Sequence, residues 1–338
     1  MNSAGLLRAA WFRLVLIAKG KMRMRTIYLL LLFLTCSTSA QEIMTRTASR
    51  DDGSLISYYL AQHAHDADTL LLILQGSDCN SVLKIDSILT DYKNVWPEAN
   101  LLLIEKYGID QGLKYSKDAE RKDCPAQYLE KDSPAQRVAD IKAILDIVRK
   151  DGQYKKFILL GGSEGALIAN LVTAEVDYVD ATIAFNGGGR WFIDDVSHSI
   201  AVKHNNPEEA RKEIDDFKGF AEHVRSSKPF ELDVSGHGYH WWHQMLSIDQ
   251  LDTLKKVNSP LLIIQGGRDI SVSPQKTDAL MQRLTELGKS NIEYRRYEAL
   301  DHGFKNSDGK SLRKEVVSDI NMWLRSKLGN PANKSSKD

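Results

Sequence analysis

The sequence predicts an α/β protein, a mostly parallel sheet with helices on both faces, and three observations carry that expectation. Six apolar runs of strand length recur between segments of helical periodicity, the pattern of parallel strands joined by helical crossovers. A strand-like run at 157–160 passes through a glycine-rich turn straight into a helical segment. A single stretch, from about Gly189 to Ile248, breaks the alternation with a composition rich in His, Asp, Glu and Lys and no strand-like run. The 338 residues, 42% hydrophobic and 27% charged, suffice for one large core with an insertion and exclude a disordered or fibrous chain.

The elements follow in order. Residues 1–40 read as a secretory signal: six basic residues up to Arg25, the apolar run Ile27–Leu34, then small polar residues ending Thr38-Ser39-Ala40. That run is too short to span a bilayer, which takes about 20 apolar residues. Met22 or Met24 makes a more usual start for such a unit, and Leu34-Thr35-Cys36 offers an alternative, a lipoprotein anchored at Cys36. Ile43–Tyr59, interrupted by Asp52-Gly53, reads as a β-hairpin. Strands are expected at 69–74, 101–104, 157–160, 181–185, 261–264 and 292–297. Helices are expected at 135–148, where Val138, Ile141, Ile144, Leu145 and Val148 share a face, and at 277–287 and 312–324. The expected organisation is a first core part at 41–188, a helical cap insertion at 189–247, a second core part at 248–328 and a flexible tail at 329–338.

Removing the six leader cations leaves 39 basic against 45 acidic residues, a net charge of −6, without the clustered basic surface that a nucleic-acid binder needs. Cys79 and Cys124 are the only cysteines after the leader; export favours a disulfide between them over two buried thiols, and the lack of C-x-x-C argues against a redox or zinc site. No G-x-G-x-x-G or P-loop occurs, so no cofactor is implied.

The chemistry lies at Gly161-Gly162-Ser163-Glu164-Gly165, a G-x-S-x-G turn between the strand 157–160 and the helical run from Ala166. Glycines at 161 and 165 clear space around a sharp turn that holds the Ser163 hydroxyl at the strand's end, and such a hydroxyl needs a base to become a nucleophile. With this strand, turn and helix the chain resembles the α/β-hydrolase superfamily, where the triad runs Ser, acid, His along the sequence. The resemblance implies an α/β-hydrolase fold and assigns Asp269, after the strand-like Leu261–Ile264, as the acid and His302, in Ala299-Leu300-Asp301-His302-Gly303-Phe304, as the base. Asp194 or Asp195 is the alternative acid. The oxyanion donors implied are the N–H groups of Glu164 and of Ser77 in Gln75-Gly76-Ser77-Asp78, where Gln75 replaces the histidine common before that glycine. Within the superfamily the chain is most similar to the secreted prolyl-oligopeptidase, serine aminopeptidase and acyl-thioesterase branches.

In the cap, His237, His240 and His243 recur every third residue, without the i, i+4 spacing or the carboxylate of a zinc helix, so no metal is expected. Tyr239, His240, Trp241 and Trp242 are candidate lining residues at the cleft mouth, and Arg190 a candidate partner for a substrate carboxylate. The expected function is an extracytoplasmic, periplasmic or secreted serine hydrolase. It acts on an ester, or secondly an amide, of a small molecule or short peptide through an acyl-enzyme on Ser163. The rival is a hydrolase-fold binding protein without catalysis.

Overall fold

The computed structural model describes residues 43–62, 67–118 and 121–329, all within a compact unit, Gln41–Asp338. The leader at 1–40, with Met22, Met24 and Cys36, and the tail beyond residue 329 lie outside the described residues. The chain opens with a hairpin, β1 (Ile43–Ser49) and β2 (Leu55–Ala61), turned at Asp52-Gly53, where Gly53 takes a φ of 82° that suits a residue without Cβ. β3 (Thr69–Leu74), α1 (Asp86–Thr90), β4 (Asn100–Ile104), α2 (Ala126–Lys131) and α3 (Pro134–Lys150) follow. Then come β5 (Lys156–Gly162), α4 (Glu164–Glu175) and β6 (Ala181–Phe185). Between β6 and the next strand the chain forms α5 (Phe192–Lys203), α6 (Pro207–Ser226), α7 (Tyr239–Met245) and α8 (Gln250–Lys256). It closes with β7 (Leu261–Gly266), α9 (Pro274–Glu286), β8 (Ile292–Tyr297) and α10 (Arg313–Leu328).

The eight strands form one sheet in the order β1-β2-β4-β3-β5-β6-β7-β8, antiparallel at β1-β2 and β2-β4 and parallel from β4 to β8. Strand periodicity divides the core. Leu70, Leu72, Leu74, Leu102, Ile104 and Leu159 face one layer with α3, α4 and α7, while Leu71, Ile73, Leu101, Leu103, Ile158 and Leu160 face the other with α10. Central strands apolar on both faces are what a covered parallel sheet requires. Three helices start on the same device, a polar N-cap followed by proline. Ser133, Asn206 and Ser273 accept N–H bonds from the first turn, and Pro134, Pro207 and Pro274 begin the helix where no N–H is needed.

After β3 the chain runs outward to β4 and then returns to β5 on the other side of β3, so the strand order reverses between β3 and β5. Beyond the carboxyl ends of those two strands lies the crevice where open α/β sheets bind ligands. The loop after β3 is fastened to the segment before α2 by a Cys79–Cys124 disulfide, 45 residues apart in sequence, set against Ile109, Tyr128, Leu113 and Leu129. Closing a loop of that length in the unfolded chain stabilises the fold by roughly 4 kcal/mol. Cys79→Ser and Cys124→Ser are therefore expected to lower the melting temperature equally, with the double variant no worse than either. Unequal losses, or additive ones, in thermal melts would show that the thiols act separately.

Candidate active site

The turn after β5 is held by close packing. A Cβ on Gly161 would lie 2.0 Å from the Gly165 carbonyl oxygen, and one on Gly165 would lie 2.3 Å from that of Leu74. Ser163 sits between them at φ 55°, ψ −126°, a conformation costly for a residue with a side chain. Its N–H donates to the Phe185 carbonyl at 3.0 Å, and its own carbonyl accepts from Ala166 N–H at 3.0 Å. The β3–β5 register places Leu74 beside Gly161, which carries Gly76 to Ser163: a Cβ on Gly76 would stand 3.3 Å from the Ser163 Cβ. The loop Gln75–Asp78 thus lies against the candidate nucleophile. Glu164 is the first residue of α4, so its N–H is one of the helix's four without an intrahelical acceptor and sits at the positive end of the dipole.

Asp269 follows β7 and His302 follows β8, and the parallel pairing of those strands brings the two loops together. His302 Nδ1 lies 2.7 Å from Asp269 Oδ2, with the carboxylate wholly buried and the imidazole 30% exposed. The carboxylate is fixed from behind: Oδ2 accepts from Gln265 Nε2 at 3.1 Å, and Oδ1 from the N–H groups of Ser271 at 2.8 Å and Val272 at 3.1 Å. Asn186, at the end of β6 with φ 50°, joins the two loops by donating to the His302 carbonyl and accepting from Gly266 N–H, both at 2.8 Å. Sequence reasoning missed Asn186. Its signal was an Asn, a residue tolerant of positive φ, at a strand's carboxyl end before Gly187-Gly188-Gly189.

Ser163, Ser77 and Glu164 line one cavity of about 40 Å³ with Leu167, Gly187, Gly189, Phe192, Asp195, Trp241, Met245, Ile248, Gln250 and Val272. A model of the prolyl oligopeptidase family matches residues 126–331, more than half of the chain. The chain belongs to the prolyl oligopeptidase family. Solved structures place its fold among the α/β-hydrolases. An esterase from Pyrococcus furiosus is 16% identical with a TM-score of 0.58, over 86% of this chain and 92% of that one. Est1E from Butyrivibrio proteoclasticus is 16% identical with a TM-score of 0.57, over 85% and 99%. The acylaminoacyl peptidase of Pyrococcus horikoshii is 14% identical with a TM-score of 0.58, over 86% of this chain but 42% of that one. Among curated proteins, none matches. As a prolyl oligopeptidase family member, the protein is a serine hydrolase of the esterase or peptidase type.

Within this family member the other candidates are dispersed. Of the aromatic run on α7, Trp241 lines the Ser163 cavity, whereas Trp242 packs against Phe192, Phe217 and Phe220. Tyr239 and His240 line a separate groove of about 510 Å³ beside Leu129, Phe230 and Leu232. Arg190 is exposed and bound to Asp249, at 2.9 and 3.0 Å from Nε and 2.5 Å from Nη2, and so is occupied within the chain. His237 is buried, stacked on Trp241 at 3.7 Å and within 3.1 Å of the Tyr128 hydroxyl through Nδ1, and burial holds its pKa down at about 3. The alternative acids have other partners, although Asp195 also lines the Ser163 cavity. Asp194 pairs with Lys276 at 3.3 Å, and Asp195 accepts from Gly189 N–H and, at 2.8 Å, from Ser273 N–H. Burial nonetheless pushes Asp195 up to about 7.

Proposed function

We propose that the protein is an extracytoplasmic carboxylic ester hydrolase that works through an acyl-enzyme on Ser163 and prefers short acyl groups. The observation that carries this reading is the Asp269–His302 pair, tied through Asn186 to the end of β6, where the Phe185 carbonyl holds the Ser163 N–H. With Nδ1 engaged by Asp269, Nε2 is the nitrogen that takes the Ser163 proton as Oγ attacks the ester carbonyl. The resulting oxyanion is met by the N–H groups of Ser77 and Glu164. Collapse expels the alcohol, protonated by His302. Water, deprotonated by His302, then releases the acid and restores Ser163.

The acyl pocket supports a small substituent. Leu167, Phe192, Trp241, Met245, Ile248 and Val272 give it an apolar wall, and its volume of about 40 Å³ is far below the roughly 300–1,000 Å³ of pockets that take drug-sized ligands. The disulfide and the signal-like leader support an exported protein, periplasmic or secreted, with a lipid anchor at Cys36 as the alternative. Among the described residues no helix is long and apolar enough to cross a membrane. A peptidase is the second reading, favoured by the family match and by the acylaminoacyl peptidase among the similar folds.

A substrate panel separates the readings. On p-nitrophenyl esters of increasing chain length, kcat/KM is expected to peak between acetyl and butanoyl and to drop about tenfold or more by octanoyl, since a close-fitting pocket penalises each excess methylene. Aminoacyl p-nitroanilides and a feruloyl ester complete the panel, the latter because Est1E has been solved with ferulic acid bound. A maximum at octanoyl or at the feruloyl ester would overturn the short-acyl assignment, and faster cleavage of anilides than of esters would make the protein a peptidase.

A further inference from the structure

The carboxyl end of β4 sends two ionisable side chains into the interior. Glu105 accepts from the Tyr59 hydroxyl at 2.9 Å, the Ser81 hydroxyl at 2.5 Å and Val82 N–H at 3.0 Å, which fixes the chain just past the Cys79 loop. Lys106, whose side chain is 1% exposed, donates through Nζ to the carbonyls of Gly76 and Asp78, both at 2.8 Å, and stands 3.6 Å from Glu164 Oε2. From the first turns of α3, Arg137 donates to Glu164 Oε1 at 2.6 Å and to the Gln75 carbonyl at 3.1 Å. The carbonyls at 75, 76 and 78 are therefore gripped on both sides of Ser77, which is itself exposed. The same two cations hold the carboxylate of Glu164. Burial pushes that carboxyl up, but Lys106 and Arg137 together outweigh the effect and keep it well below the usual carboxylate range. Asp132 is also buried here, with neither carboxylate oxygen hydrogen-bonded; the Tyr128 ring lies 5.7 Å from Lys106 Nζ, and its hydroxyl lies 3.1 Å from His237 Nδ1.

Burying Lys106, Arg137 and Glu164 together is a poor way to gain stability, because desolvation offsets most of the attraction and an apolar core would serve as well. What an apolar core could not supply is a point donor for each carbonyl of an irregular loop, whose own backbone contributes a bond from Asp78 N–H to the Gly76 carbonyl at 3.2 Å. We infer that Lys106 and Arg137 are positioning residues, which set the two oxyanion donors relative to each other by holding the backbone around Ser77 and the side chain of Glu164 in one buried ion cluster. The inference rests on the acyl-transfer reading above. The cluster does no chemistry: it fixes beforehand the geometry that would otherwise be reorganised when negative charge appears.

The test uses three variants of the full chain. Lys106→Met removes both carbonyl contacts, Lys106→Arg keeps the charge but replaces a point donor with a planar fork, and Arg137→Gln releases the Gln75 carbonyl. Each is read on the ester that the parent hydrolyses best and on a trifluoromethyl ketone, which adds to Ser163 Oγ and places an oxyanion in the hole. Expected is a fall in kcat of about 10- to 100-fold, below the roughly 10²–10³ for outright loss of a donor, with KM within about threefold and the ketone's Ki rising in step with the loss in kcat/KM. A purely structural role would lower the melting temperature without that split. Folded variants that keep kcat within about threefold would overturn the proposal, as would failure of all three to fold, which would assign the cluster to stability alone. If the parent neither hydrolyses esters nor takes a fluorophosphonate on Ser163, the acyl-transfer reading itself has failed, a result distinct from either.

Discussion

Ser163→Ala is expected to lower kcat by about 10⁴- to 10⁶-fold, because the members of a triad act as a unit and removal of the nucleophile leaves only binding and oxyanion stabilisation. The substitution isolates the hydroxyl. Alanine carries the same Cβ that serine holds at φ 55°, the N–H bond to the Phe185 carbonyl belongs to the backbone, and the glycines at 161 and 165 stay in place. The melting temperature should therefore remain within a few degrees of the parent's, and KM should change little. Steady-state hydrolysis of a short acyl ester, together with peptide mapping of the fluorophosphonate adduct, checks both halves. Retention of a tenth of the parent's kcat by a folded Ser163→Ala protein is incompatible with Ser163 as the nucleophile.

The centre of the sheet was legible because its strands are apolar on both faces, whereas the edge strands β1 and β8 are only partly buried. The runs at 69–74 and 181–185 coincide with β3 and β6 to the residue, since nothing but burial explains six consecutive residues such as Thr69–Leu74, and 292–297 coincides with β8 although its sequence IEYRRY is half polar. The helices at 135–148, 277–287 and 312–324 were located with ends one to four residues off: α3 extends past both expected ends, α9 begins three residues earlier and ends one sooner, and α10 begins one later and ends four later. The short α1 and α2 escaped notice because five or six residues cannot display a period of 3.6. Around the site, residues fixed by backbone geometry were readable and those fixed by distant side chains were not. G-x-S-x-G encodes its own turn, whereas the side chain of Glu164 meets Arg137, 27 residues away, and Lys106 across the β4–β3 neighbourhood. A faint signal existed: two ionisable residues, Glu105 and Lys106, directly continue an apolar strand. The aromatic run Tyr239–Trp242 could not be sorted by sequence because α7 is packed from several sides, and each successive residue of a helix turns to a different neighbour.

For Asp269→Asn the expected result is a loss of about 10⁴ in kcat with the fold intact, through the tautomer of His302 rather than through any loss of packing. The surroundings dictate how the amide must sit. The oxygen facing Ser271 and Val272 accepts two backbone N–H groups, at 2.8 and 3.1 Å, so the asparagine carbonyl is bound to take that place. Its NH₂ then occupies the position of Oδ2, 2.7 Å from His302 Nδ1, and donates to that nitrogen. A ring that accepts at Nδ1 carries its proton on Nε2, where it cannot receive one from Ser163. The NH₂ also meets Gln265 Nε2, which donated to the carboxylate at 3.1 Å, and this donor–donor contact should lower the melting temperature by a few degrees without unfolding the protein. Asp194→Asn and Asp195→Asn are the controls. Asp194 is tied to Lys276 and Asp195 to the N–H groups of Gly189 and Ser273, so either change should cost kcat less than about tenfold. Parallel kinetics on the three variants decide the acid: a large loss in Asp194→Asn or Asp195→Asn, with Asp269→Asn near parental activity, would transfer the role to the first turn of α5 and leave the Asp269–His302 bond a structural one.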